Sequence, residues 1–113
     1  MPKDITSIRI DFIPNSQQRY ETAGDWYYEG DTLILKVSKT EDPLDQQLIA
    51  LHELVEALLC NHAGITQEVV DKFDMGPGKD LEQPGDDPSA PYYEQHKVAT
   101  NVERVVEEAM RFE

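Results

Sequence analysis

His52, Glu53 and Glu56, in Ala50-Leu51-His52-Glu53-Leu54-Val55-Glu56-Ala57, are the residues whose types and spacing can do chemistry. Residues four apart on a helix lie one turn apart on one face, so the His52 imidazole and the Glu56 carboxylate can converge on a single ion. Zn2+ accepts nitrogen and oxygen ligands of this kind at about 2.0–2.2 Å. Glu53 follows His52 directly. In metal hydrolases a carboxylate at that place does not bind the ion but takes a proton from the metal-bound water. Catalytic zinc holds three protein ligands and keeps one position open, so a third ligand must come from elsewhere in the chain. His96, in Tyr92-Tyr93-Glu94-Gln95-His96-Lys97-Val98-Ala99, is the candidate. Glu103, seven residues later on the same side of that segment, is a substitute ligand or a supporting group.

Composition limits the alternatives. Cys60 is the single cysteine, which excludes an internal disulfide and a thiolate-rich zinc finger, so any metal rests on His, Asp or Glu. Ten basic against 23 acidic residues leave a formal charge of -13, which argues against direct nucleic-acid binding because counterion release requires Lys and Arg. The same charge suits a basic partner, or a protein that imitates DNA. No apolar run approaches the roughly 20 residues of a membrane span and no export signal opens the chain, so the expectation is a cytoplasmic protein without membrane contact. At 113 residues, one domain spanning 1–113 is expected.

The elements that must position these groups are marked by period and by caps. Ile8, Ile10 and Phe12 alternate with Arg9 and Asp11 between Ile5 and Ile13, the pattern of a half-buried strand. Trp26 to Glu29, the Gly30-Asp31 turn signal and Thr32 to Val37 read as a hairpin, so residues 1–40 are mainly strands. Asp42-Pro43 supplies a cap and a first-turn proline for a helix over 43–62, whose Leu44, Leu48, Leu51, Val55, Leu58 and Leu59 form an apolar stripe. His52 and Glu56 fall on the flank of that stripe. Thr66 caps a shorter helix through Phe73, residues 75–91 are a Gly/Pro/Asp-rich loop, and the last helix occupies 92–113. On that helix Val98, Val102, Val105, Ala109 and Phe112 form the expected core stripe, with His96 on its flank. The expected fold class is α+β, a small antiparallel or mixed sheet packed on two longer helices and one short one.

A strand such as Leu33 to Val37 followed by a helix carrying Leu-His-Glu-Leu-x-x-Ala-Leu-Leu resembles the zincins, in particular the minimal soluble ones of the ImmA/IrrE type. In those proteins the motif is His-Glu-x-x-His, and a later helix supplies a glutamate ligand three residues before an alanine. Here the ligand types are exchanged, with Glu56 at the second histidine position and His96 three residues before Ala99. The resemblance covers roughly residues 32–113. It implies a zincin-like fold, one Zn2+, a peptide or protein substrate, ligands His52, Glu56 and His96, and Glu53 as general base.

Blander roles stand beside these. His62 suits the dipole at its helix end, Cys60 a packed apolar site, and Asp71 and Asp74 a helix surface unless the 75–91 loop folds over the site. Tyr92 and Tyr93 pack, wall the cleft or donate to a substrate oxyanion. Two rival functions remain. One is an acidic interaction protein, an inhibitor or DNA mimic, with or without a structural metal. The other is a Mg2+-dependent nucleotide pyrophosphohydrolase using Glu53-x-x-Glu56 with Glu68-x-x-Asp71. Substrate and oligomeric state are not legible in the sequence.

Overall fold

A computed structural model describes residues 2–112. Its central strand is β3 (Thr32–Ser38), with β1 (Ser7–Ile13) parallel on one side and β2 (Gly24–Glu29) antiparallel on the other. The fold is therefore α+β with a mixed three-stranded sheet. β3 is covered on both faces, which is why it reads as a nearly continuous apolar run: Leu33, Leu35 and Val37 are fully buried, and so is Ile34 on the opposite face. Gly30 takes a positive φ of 59° at the β2–β3 turn. A side chain there would be strained.

Three helices follow, α1 (Pro43–Ala63), α2 (Gln67–Asp74) and α3 (Tyr93–Arg111). The Asp42 carboxylate accepts the Leu44 N–H at 3.0 Å and Pro43 begins α1, while Gly64 ends it in the left-handed conformation. Thr66 caps α2 through the Val69 N–H. α1 lies over β2 and β3, and α3 packs chiefly on α1 and on the 3-10 turn Pro84–Asp86. Ala57 and Cys60, both fully buried, keep α1 close to Leu33, Leu35 and Trp26. Cys60 is thus a packed residue, whereas His62 is exposed near the end of α1. No single described helix is long and apolar enough to cross a membrane.

The buried faces of both long helices differ from the periodicity. On α1 the buried residues are Leu48, Ala50, His52, Glu56, Ala57 and Cys60, and Leu58 is exposed. His52 and Glu56 sit inside the packed face, not on its flank. On α3 only His96 and Ala99 are buried, while Val105 and Phe112 are 69% and 76% exposed. At about 100° per residue, His96 and Val105 lie on roughly opposite sides of the helix. The cause is the partner α3 meets. It docks on the His/Glu face of α1 and not on the sheet, so its own polar side turns inward to pair and its valine stripe is left outside.

Candidate metal centre

Three elements bring the site together. α1 presents His52, Glu53 and Glu56 on successive turns, α3 presents His96 from its first turn, and β2 passes beneath with Gly24 and Trp26. His52, Glu56 and His96 are all buried, and their ligand atoms lie within 4.8 Å of one another, forming a group able to hold a metal ion. His52 Nε2 is 3.2 Å from His96 Nδ1 and 3.3 Å from Glu56 Oε2, and His96 Nδ1 is 2.8 Å from the same oxygen. Ligands of a tetrahedral ion at about 2.1 Å stand about 3.4 Å apart. Two edges of the observed triangle are within about 0.2 Å of that spacing, and the His96–Glu56 edge would open by about 0.6 Å.

Each member of the triangle has its other polar atom engaged. His52 Nδ1 is 3.0 Å from Glu103 Oε1, and His96 Nε2 is 3.1 Å from Asp86 Oδ1. The Trp26 indole N–H donates to Glu56 Oε1 at 3.2 Å. Each ring thus has a carboxylate on both sides, Glu56 on the inner and Glu103 or Asp86 on the outer, and an ionised carboxylate only accepts; with a cation among the inner atoms the ring protons would sit on the outer nitrogens and the inner lone pairs would face the ion. Without a cation, ring protons lie between the inner nitrogens and Glu56. Outer partners of this kind are the usual means of fixing the tautomer and orientation of metal-binding imidazoles.

The charges follow the same geometry. Burial opposes a charge on His52, but the bonds to Glu103 and Glu56 outweigh it and raise the imidazole to about 10. Burial likewise opposes the Glu56 carboxylate, yet His52 and His96 beside it hold it down to about 2. Glu53 is pushed well above the ordinary carboxylate range by burial and by Glu56, with His52 opposing. Its Oε2 stands 4.0 Å from His52 Nε2, and among the described residues its carboxylate makes no hydrogen bond. Gly24 explains how it fits. A Cβ there would come within 2.6 Å of Glu53 Cγ and 3.0 Å of Ile49.

The site floors a cleft of about 710 Å3 lined by His52, Glu53, Glu56, His96, Trp26 and Tyr92, among others. The 75–91 segment folds over one side of it. Gly85 lies against the His96 ring so closely that a Cβ would overlap Cγ and Nδ1, and the next residue supplies the Asp86 carboxylate. Tyr92 is buried and its hydroxyl donates to Asp74, which also accepts from Tyr20 at 3.0 Å. Asp74 is therefore a half-buried acceptor and not a plain surface acid, and its carboxyl is raised by burial against the pull of the two phenols. Asp71 is clamped by Arg19, which also holds the buried Asp25. Glu68 is exposed on α2. Tyr93 is partly buried and packs against the core.

His52, Glu56 and His96, picked out by type and spacing, are thus brought together, with Glu53 beside them. Glu103 meets His52 and not the His96 of its own helix. Asp86 and Trp26 have roles that spacing did not reveal. A histidine ligand needs an acceptor behind it, and an Asp in a Gly/Pro-rich segment folding towards that ring is the signal that could have pointed to Asp86. The chain matches no protein-family profile, no curated protein and no solved structure.

Proposed function

We propose that this chain is a zinc-dependent hydrolase of the zincin-like peptidase type, acting in the cytoplasm on a peptide or protein substrate. One observation carries the reading: ligand atoms of His52, Glu56 and His96 converge within 4.8 Å of one another on the floor of an open cleft, beside the Glu53 carboxylate, which among the described residues makes no hydrogen bond. Two imidazoles and one carboxylate suit zinc, and an ion with three protein ligands keeps a position for water or substrate. Bound zinc would supply Lewis acidity, lowering the pKa of a water and polarising a scissile carbonyl.

The chain's own residues do the rest. Glu53, on the cleft side of His52, accepts the proton of the attacking water and returns it to the leaving amine. Gly24 leaves the space in which that carboxylate stands. Glu103 and Asp86 hold the two rings, and Trp26 orients Glu56 so that one oxygen remains free for the ion. The Pro84–Asp86 turn and Tyr92 wall the cleft and limit water around the reacting bond.

Metal analysis of protein prepared without chelator, combined with cleavage of a peptide library, tests the reading. The wild type and Glu53→Gln should each carry about one equivalent of zinc, His52→Ala should carry none, and only the wild type should cleave. Zinc-free wild-type protein would sink the proposal. Equal cleavage by Glu53→Gln would remove the assignment of the base, and bound zinc with no cleavage would favour a non-catalytic interaction protein held by a structural ion.

A further inference from the structure

The free edge of the sheet carries an inference independent of the metal site. β1 is bonded to β3 on one side only, and among the described residues no backbone group of Ser7–Phe12 that turns away from β3 has a hydrogen-bond partner. The opposite edge is guarded, because Gln67 Oε1 accepts the Tyr28 N–H of β2 at 3.1 Å. Ile8, Ile10 and Phe12 share a face with Leu33, Leu35 and Val37, their partners on β3. α1 covers β2 and β3 but does not extend over β1, so these three are 46%, 40% and 38% exposed. An open edge with an apolar face is a template for another strand.

We propose that β1 pairs with β1 of a second copy, antiparallel about a two-fold axis through Ile10, joining two three-stranded sheets into one of six. The register follows from the side chains. Side chains opposite one another in a ladder share a face, so a slip by one residue would set isoleucines against Arg9 or Asp11. Of the registers that keep the faces matched, a shift by one step of two residues sets Arg9 against the partner's Arg9, or Asp11 against the partner's Asp11. The centred register alone sets Arg9 opposite the partner's Asp11, and does so twice by symmetry. It also opposes Ile8 to the partner's Phe12 and Ile10 to the partner's Ile10. Ile10 is the midpoint of Ser7–Ile13, so the whole strand is paired before Pro14, which has no N–H to donate.

Charge distribution favours the same face. Residues 2–13 carry Lys3 and Arg9 against Asp4 and Asp11, a neutral stretch in a chain of net charge -13. Two copies repel elsewhere and meet here without that penalty.

Sedimentation equilibrium of the full chain over on the order of 1–100 μM, a range in which a micromolar dimer dissociates, tests the pairing. The wild type should move from 12.9 kDa to twice that mass. Arg9→Asp and Asp11→Arg each set like charges opposite one another twice, and each should weaken association about tenfold or more. An equimolar mixture of the two variants should associate again, because a strand carrying only acids then faces one carrying only bases. That rescue separates a lost contact from a lost fold, which matters because Arg9 and Asp11 also pair within their own strand and Asp11 pairs with Lys36. A wild type that stays at 12.9 kDa throughout overturns the proposal and leaves the edge to a strand of a different protein. Variants that associate as the wild type does, or a mixture that stays monomeric, overturn the interface or its register.

Discussion

Asp86 Oδ1 lies 3.1 Å from His96 Nε2, on the ring nitrogen turned away from Glu56 and His52. The aspartate belongs to a connecting turn and the histidine to a helix, so the orientation of one ligand depends on a loop. Asp86→Asn should lower zinc affinity about 10–100-fold, and Glu103→Gln should do the same through His52. Competition against a chromophoric chelator measures both. Wild-type affinity in the two variants, with unchanged circular dichroism, would show that these carboxylates do not orient the rings.

The two glycines at the site separate binding from chemistry. Gly85→Ala drives a methyl into the His96 ring, and overpacking of this kind costs about 1–3 kcal/mol unless the loop withdraws, which moves Asp86. Metal affinity should fall. Gly24→Ala presses instead on Glu53, which is not a ligand, so turnover should fall while zinc content stays at the wild-type level. Zinc stoichiometry and rate measured on the same preparations decide this, and equal loss of both in the two variants would contradict the division of labour.

Trp26→Phe keeps a buried aromatic ring, smaller than the indole, and deletes the donor to Glu56 Oε1. A buried carboxylate oxygen left without its partner costs about 1–3 kcal/mol. Denaturant unfolding of the metal-free protein should show that loss, and Glu56 should become easier to protonate. An unchanged midpoint would mean that water replaces the indole.

The pH dependence has opposite signs with and without metal. In the metal-free chain His52 sits at about 10 against 6.5 for a free imidazole, because Glu103 and Glu56 overcome burial. The folded state therefore keeps a proton that the unfolded chain releases, and this contribution to stability is complete below about pH 6.5 and fades as pH rises through 10. Metal uptake must expel that proton, so affinity should rise by up to tenfold per pH unit across the same window. Titration in weakly buffered solution should register the release of about one proton per metal at pH 8. Affinity flat between pH 7 and 9 would contradict the account.

Much of the scaffold is legible in the sequence. β1, the hairpin around Gly30, the Asp42 and Thr66 caps and the Gly64 stop each rest on a local signal that tertiary contacts reinforce. His52 and Glu56 were legible because helical spacing is rigid, and His96 because few histidines exist to choose from. The faces of α1 and α3 were misread for a single reason. Periodicity assumes that apolar residues go inside, whereas His52, Glu56, His96 and Glu103 satisfy one another and so occupy the contact between the helices, leaving Val105 outside. Asp86 lay in a stretch without period, where only the folded loop reveals what its carboxylate meets.

Forty residues of chain separate Glu56 from His96, and α2 with the whole Gly/Pro-rich segment lies between them. A cation held between these two side chains, as proposed, would be a rivet as well as a reagent, fastening the terminal helix to the body of the protein. Under that reading, starving the chain of metal would do two things at once, silencing the proposed reaction and slackening its final third, so that availability of the ion would govern how long the molecule survives as well as whether it works.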